Sequence, residues 1–232
     1  FVARAATNDW DAIIMTRTAF RSLGLSQANQ AAYMQREVAT QRAALERAKE
    51  DSDGQAKRTL KGIEKALQRR EESIKEKLAN PNADKGLTFE ETGIDYLCID
   101  ELHDFKNLAT VSSIPGAGIT GSQRAQDLDM KLDWLRHEHG DRVATGATAT
   151  PIANSVTELY VIQRYLNPQR LTDAGITDFD SWAATFGEVV TGFETNVVGD
   201  KFQLKSRFAR FQNVPELLAM FHEYADVKLA AD

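Results

Sequence analysis

Apolar residues in this chain fall into short separated runs, and the spacing inside each run changes along its length. Residues 11–15, DAIIM, are continuous after the leading Asp and predict a short buried strand. TRTAFRSLG, 16–24, then reads as a helix start with a glycine stop. From Ser26 the texture becomes rich in Ala, Gln, Arg and Glu, with no glycine or proline before the turn signal DSDG at 51–54. A second such stretch runs from Gln55 until NPN at 80–82 breaks it. Met34, Val38, Leu45 and Ala48 in the first stretch recur at intervals near three and four, as do Leu60, Ile63, Leu67, Ile74 and Leu78 in the second. That spacing predicts an antiparallel hairpin of two helices of about 25 residues, roughly 37 Å long. Gln41 and Arg70 interrupt the seam, so the hairpin is expected to be marginal alone and to rest its base on a host domain.

After the hairpin the period changes. GIDYLCID, 93–100, is apolar from Ile94 to Ile99 apart from Asp95, which predicts a strand covered on both faces, with Cys98 inside. SIPGAGITGS is a glycine-rich loop, and QRAQDLDMKLDWLRHEHG is an amphipathic helix ending at Gly140. DRVATGATATP predicts a second short strand running into a polar turn. NSVTELYVIQRYLNP predicts a helix with Asn154 as N-cap and a stop before Pro168. The remainder reads as shorter helices, DFDSWAATFGE capped by Asp178 and NVPELLAMFHEYA with Pro215 in its first turn. Strands alternating with helices predict an α/β fold with a parallel sheet, interrupted by the long helical hairpin.

Composition narrows the function classes. The chain has 232 residues and a net charge of −6, so it is not a general polyanion binder. Residues 26–84 hold 12 Lys/Arg against 10 Asp/Glu, leaving 16 against 24 elsewhere, so any nucleic-acid surface must be local. One cysteine excludes an intrachain disulfide and fits a reducing cytoplasmic setting. No apolar stretch approaches the roughly 18 residues that mark a membrane span, and the N-terminus shows no signal pattern.

The chemistry concentrates at two predicted strand ends. In open α/β sheets ligands bind beyond the carboxyl ends of the strands. Asp100 and Glu101 fall there, where one carboxylate can hold Mg²⁺ beside phosphates and the other can orient or deprotonate an attacking water. Alone, the pair reads equally as solvated turn residues. TGATATPIANSVTELY, 145–160, follows the second strand and places three threonines, a glycine and Pro151 in a tight turn. Two polar strand ends in that order favour a site over two unrelated turns.

DELHDFKN, 100–107, resembles the second motif of superfamily-two DExH helicases, and with Lys106 and Asn107 it is most similar to the Swi/Snf branch. TGATATPIANSVTELYVIQRYLNP resembles that branch's third motif. DWDAIIMTRTAF and GSQRAQDLDMKLDWL also resemble helicase-like proteins of phages and mobile elements, some joined to an adenine DNA methylase. The resemblance covers residues 8–25 and 93 to about 186, and more loosely extends to 227. It implies a partial RecA-like first motor lobe, at 1–25 and 85–232, with an inserted hairpin at 26–84. It implies ATP and Mg²⁺ as ligands and double-stranded DNA as partner. Asp100 would bind Mg²⁺ through water, and Glu101 would be the catalytic carboxylate. His103 would link the nucleotide site to the coupling turn of Thr148, Thr150 and Pro151. Thr16, Arg17 and Lys106 would face nucleic acid. Asp104 stands where the family commonly has a basic residue, and TGATATP is longer than the family's TGTP. No G-x-x-x-x-G-K-[ST] loop occurs in the sequence. The resemblance implies that the phosphate loop precedes this segment and a second lobe follows it, and that this chain alone does not hydrolyse ATP.

Other features admit plainer accounts. His137 and His139 lie two apart on a helix and do not share a face. Residues 57–77 carry eight Lys/Arg and four Glu, either a solvated helix face or a phosphate-binding one. Phe208, Phe211 and Phe221 near Arg207 and Arg210 read as core. The alternative to an ATP-driven motor is a non-catalytic DNA- or protein-interaction module with vestigial motor motifs, and an RNA-directed helicase is a third reading.

Overall fold

A computed structural model describes residues 2–7, 10–50, 61, 63–65, 67–69, 71–72, 75, 86–112, 114, 121–152, 157–195 and 202–228. Helices α1 (Val2–Thr7), α2 (Arg17–Ser22) and α3 (Gln27–Glu50) precede strand β1 (Leu97–Ile99). A 3-10 turn, Leu102–Phe105, follows directly. Then come α4 (Gln123–His139), β2 (Ala144–Gly146), α5 (Thr157–Leu166), α6 (Pro168–Asp173) and α7 (Phe179–Phe186). Strands β3 (Gly187–Thr195) and β4 (Phe202–Phe211) and helix α8 (Val214–His222) follow, and a further 3-10 turn, Glu90–Thr92, precedes β1. The fold is mixed helix with a small parallel sheet. Among the described residues no helix is long and apolar enough to cross a membrane.

β1 and β2 pair in parallel, with Leu97 opposite Ala144, Cys98 opposite Thr145 and Ile99 opposite Gly146. Their carboxyl ends therefore lie side by side. The core beneath them is built from α4, α5 and α7. Leu128, Leu132 and Leu135 of α4 are fully buried against Val161, Ile162 and Tyr165 of α5 and Phe179, Trp182 and Phe186 of α7. Each such side chain contributes about 1.5–3 kcal/mol by leaving water. Lys131 of α4 is also fully buried. Its Nζ donates to Phe20 O and Asp127 Oδ2, both at 2.7 Å, and lies 3.9 Å from the centre of the Phe20 ring. This contact fastens α2 to the core.

Several expectations are corrected. Residues 11–15 form no ladder, and Ile14 is 98% exposed while only Met15 packs on the core. An extended run needs a partner for its N–H and C=O groups before it becomes a strand, and none pairs with it among the described residues. β1 is covered on one face rather than two: Leu97 is buried, but Tyr96 and Cys98 are exposed. Residues 187–211, expected to be helical or irregular, form the antiparallel pair β3–β4, with Phe193 opposite Leu204 and a bulge between Glu188 and Val189. The signal was present, because Phe202, Leu204 and Phe208 alternate with Gln203, Lys205 and Arg207.

The antiparallel arms are visible where the chain is described. Arg42 pairs with Glu71, Leu45 packs with Leu67 and Ile63, and Lys49 pairs with Glu64, so partner numbers fall as those in α3 rise. The turn at 51–54, Leu60, Arg70, Ile74, Leu78 and the side chain of Ala48 lie outside the described residues. α3 does more than rest its base on the rest of the fold. Tyr33 donates to Asp129, Arg36 pairs with Asp133, and Glu37 pairs with Arg164 of α5. Further along, Arg47 Nη2 reaches Asp178 Oδ2 at 2.8 Å, the residue that caps α7. Burial opposes the charge on Arg164, but the Asp129 and Glu37 carboxylates outweigh it and raise its pKa. Arg164 and Glu37 are each about one-fifth exposed, so removing one member should cost less than the roughly 3–5 kcal/mol of a fully buried pair.

Candidate functional site

The candidate site forms where β1 and β2 end. Ala147 N donates to Ile99 O at 2.8 Å, continuing the parallel ladder, and Leu102 N donates to Ala147 O at 2.9 Å. These two bonds stitch the turn after β1 onto the turn after β2. Gly146 makes the approach possible: a Cβ there would lie 2.5 Å from Leu102 Cδ2 and 3.3 Å from its Cβ and Cγ. Leu102 is buried in that space. A second close approach stabilises the far end of the same segment. Gly121, with φ +86°, sits where a Cβ would be 2.6 Å from the Ala109 backbone, and Ser122 N donates to Asn107 O at 2.8 Å.

On this base the polar side chains stand at the surface. Asp100 Oδ1 accepts from Glu101 N at 3.0 Å. Glu101 has φ 53° and ψ 53°, a left-handed conformation that costs a residue with a Cβ and is held by the bonds on either side of it. His103 Nδ1 lies 3.0 Å from Thr148 Oγ1 and 3.1 Å from Glu101 Oε2. The Thr148 contact is a hydrogen bond whose direction depends on the imidazole tautomer, whereas the Glu101 carboxylate lies within ion-pair distance of the same nitrogen. Thr148 Oγ1 in turn accepts from Thr150 N at 3.2 Å, which closes the TATP turn on itself. Within the long TGATATP stretch it is therefore Thr148 that meets His103. Pro151 follows in a bend, and Asn154 lies outside the described residues.

The structure brings Asp100, Glu101, His103, Thr148 and Thr150 together at one end of the parallel pair. Each of the three residues expected to face nucleic acid has a partner within the fold, with Thr16 and Arg17 still exposed and Lys106 largely covered. Thr16 caps α2, accepting from Ala19 N at 3.2 Å. Arg17 pairs with Asp104, which gives the unusual acid at that position a local partner. Lys106 Nζ is 3.1 Å from Glu158 Oε1, with the lysine side chain 14% exposed and the glutamate 3%. Glu158 was not singled out from the sequence. Its signal was an acid inside the apolar helix TELYVIQRYL, next to a threonine that is also buried. Tyr165, from the same helix, places its hydroxyl 2.9 Å from Phe105 O and 3.2 Å from Ala125 O.

Among the described residues no three His, Cys, Asp or Glu gather to hold a metal alone. Asp100 and Glu101 nevertheless fit Mg²⁺, which takes hard oxygen donors and commonly needs only one or two protein carboxylates, the rest being water and phosphate oxygens.

No solved structure matches this chain. The Defense against restriction protein B of Escherichia phage P1 is 26% identical over 159 residues, covering 65% of this chain and 7% of that protein. The chain thus spans a small part of the length of this curated relative. A family model described as "Probable helicase domain" matches residues 1–229, and with the two joined strand ends already in view, the chain belongs to that helicase-domain family.

Proposed function

We propose that this chain is part of an ATP-driven motor on double-stranded DNA, supplying the carboxylate half of the ATP site and the turn that couples it to the polymer. In this reading residues 1–25 and 85–232 are the later part of a RecA-like first lobe of the Swi/Snf branch, and 26–84 is an inserted hairpin. The observation that carries it is the His103–Thr148 contact, which joins the two polar strand ends at the carboxyl side of parallel strands. Membership of a helicase family supports it. A relative named for defence against restriction favours DNA over RNA, because restriction cuts duplex DNA.

Bound at the carboxylate pair, Mg²⁺ would neutralise phosphate charge. Asp100 would hold the ion's water shell, its position set by the strand behind it and by its bond to Glu101 N. Glu101 would accept a proton from the attacking water. Its left-handed backbone, held by the ladder to β2, keeps the carboxylate from relaxing into an ordinary turn. His103 would transmit the state of Glu101 to Thr148, since its Nδ1 lies within reach of both side chains. The phosphate-binding loop and the charge-neutralising second lobe would come from elsewhere in a longer polypeptide, so this chain alone should not turn over ATP.

The test is DNA-stimulated phosphate release by the full-length protein, with ATP affinity measured separately. Glu101→Gln should lower turnover by about 10²–10⁴-fold, the usual worth of a general base, and leave ATP binding largely intact. Asp100→Asn should weaken Mg²⁺-dependent nucleotide binding instead. Full activity in Glu101→Gln would remove the catalytic assignment.

A further inference from the structure

Side chains tie the segment from Asp100 to Lys106 to the third-motif segment at both its ends, with the Leu102 N–Ala147 O backbone bond between them, and the two end ties differ in kind. His103–Thr148 lies at the surface, with the His103 side chain 31% exposed and the neighbouring Glu101 half exposed. Lys106–Glu158 lies inside, with Glu158 covered almost completely. Lys106 is the residue that ends the 3-10 turn carrying His103, and its N–H donates to His103 O at 3.3 Å. Glu158 stands in the first turn of α5, the helix that follows the Thr148–Pro151 turn. Phe105, between His103 and Lys106, is buried, and its carbonyl meets Tyr165 of the same helix. The inner end of the segment is therefore anchored to α5 by a largely buried ion pair and a buried hydroxyl, and its middle by the Leu102–Ala147 backbone bond, while the side chains of Glu101 and His103 are held through polar contacts open to solvent.

Breaking a largely buried ion pair costs more than breaking an exposed contact, because the charges lose each other away from water. A partly exposed side-chain contact can exchange with solvent at small cost. A rearrangement at the site will therefore turn about the inner end and open or close at the Glu101, His103 and Thr148 side chains. We propose that Lys106 and Glu158 are positioning residues: their ion pair is the pivot that sets the Glu101–His103 turn against the Thr148 turn. This rests on the motor reading above. It assigns Lys106 an inward mechanical role and makes α5, rather than either loop, the element that aligns the two motifs.

The experiment uses the full-length protein, with kcat and KM for ATP measured with and without duplex DNA, and thermal unfolding followed in parallel. Lys106→Met and Glu158→Gln should each lower DNA-stimulated kcat by about tenfold or more while changing the KM for ATP by less than about twofold, the pattern of an interaction expressed in the transition state rather than in substrate binding. Lys106→Arg, which keeps the charge and reach, should recover most of the rate. If the unaltered protein shows no DNA-stimulated hydrolysis, the motor reading fails and the pivot with it. If it does hydrolyse ATP and Glu101→Gln abolishes this, but Lys106→Met and Glu158→Gln are as active as the parent, the pivot alone is overturned. A rate that falls only in step with folded protein, with no recovery in Lys106→Arg, overturns it as well.

Discussion

His103 Nδ1 stands 3.0 Å from Thr148 Oγ1, across two strand ends that lie 45 residues apart in the chain. The same nitrogen is 3.1 Å from Glu101 Oε2, so one imidazole lies between a candidate catalytic carboxylate and a candidate coupling hydroxyl. Thr148→Val keeps the shape of the side chain and removes the hydroxyl. Under the motor reading it should reduce the DNA stimulation of ATP hydrolysis by about tenfold, the upper value of one ordinary hydrogen bond. His103→Gln should do the same. Because both changes remove one interaction, the double variant should lose little more than either alone. Phosphate release with and without duplex DNA reads this directly, and fully additive losses would show that the two side chains act separately.

Gly146 carries a second expectation. The space that a methyl group would need is held by Leu102, whose Cδ2 would be 2.5 Å away. Leu102 cannot swing outward without exposing itself at a packed site. Gly146→Ala should therefore destabilise the chain by about 1–3 kcal/mol, the usual cost of overpacking. Trimming the neighbour should relieve it, so Leu102→Ala should cost less in the Gly146→Ala background than in the parent. Urea unfolding of the four proteins measures both quantities. Equal costs in both backgrounds would mean that the two residues do not compete for the same space.

Alkaline pH offers a test of the core. Burial raises the pKa of the Tyr33, Tyr160, Tyr165 and Tyr224 phenols, that of Tyr160 to about 12. In the unfolded chain a phenol ionises near pH 10, whereas in the native state these four keep their protons. The native state then binds more protons, so stability is full below about pH 10 and falls as pH rises beyond it, by about 1.4 kcal/mol per pH unit for each group. Lys131 works in the opposite direction, because burial lowers its pKa and raising the pH removes a charge that is costly in the core. The tyrosines outnumber it, so the net slope should be negative. Denaturant unfolding across this range should show that loss, accompanied by late tyrosinate absorbance. Stability that holds or rises above pH 10 would contradict the burial of these hydroxyls.

Local signals in the sequence determined much of the helical layout. Asp178 caps its helix through Ser181 N, the helix before Gly140 stops there, and Pro215 opens the last helix. Each depends on a side chain and a backbone group within a few residues, so the necessary information is contiguous. The two polar strand ends were also legible, because an apolar run that stops at Asp100 and another that runs into TGATATP mark themselves without reference to the rest of the chain. Tertiary structure alone decided what those residues touch. Whether Cys98 is covered depends on what packs over β1, and nothing in LCI states that. Arg17 and Lys106 carry the same charge whether they face phosphate or carboxylate, and it is the placement of Asp104 and Glu158 that gives each a partner in the fold and turns Lys106 inward. The docking of α3 depends likewise on Asp129 and Arg164, about a hundred residues away from Tyr33 and Glu37. Caps and stops are settled by neighbours along the chain, whereas burial and ion pairing are settled by neighbours in space, which only the packed fold supplies.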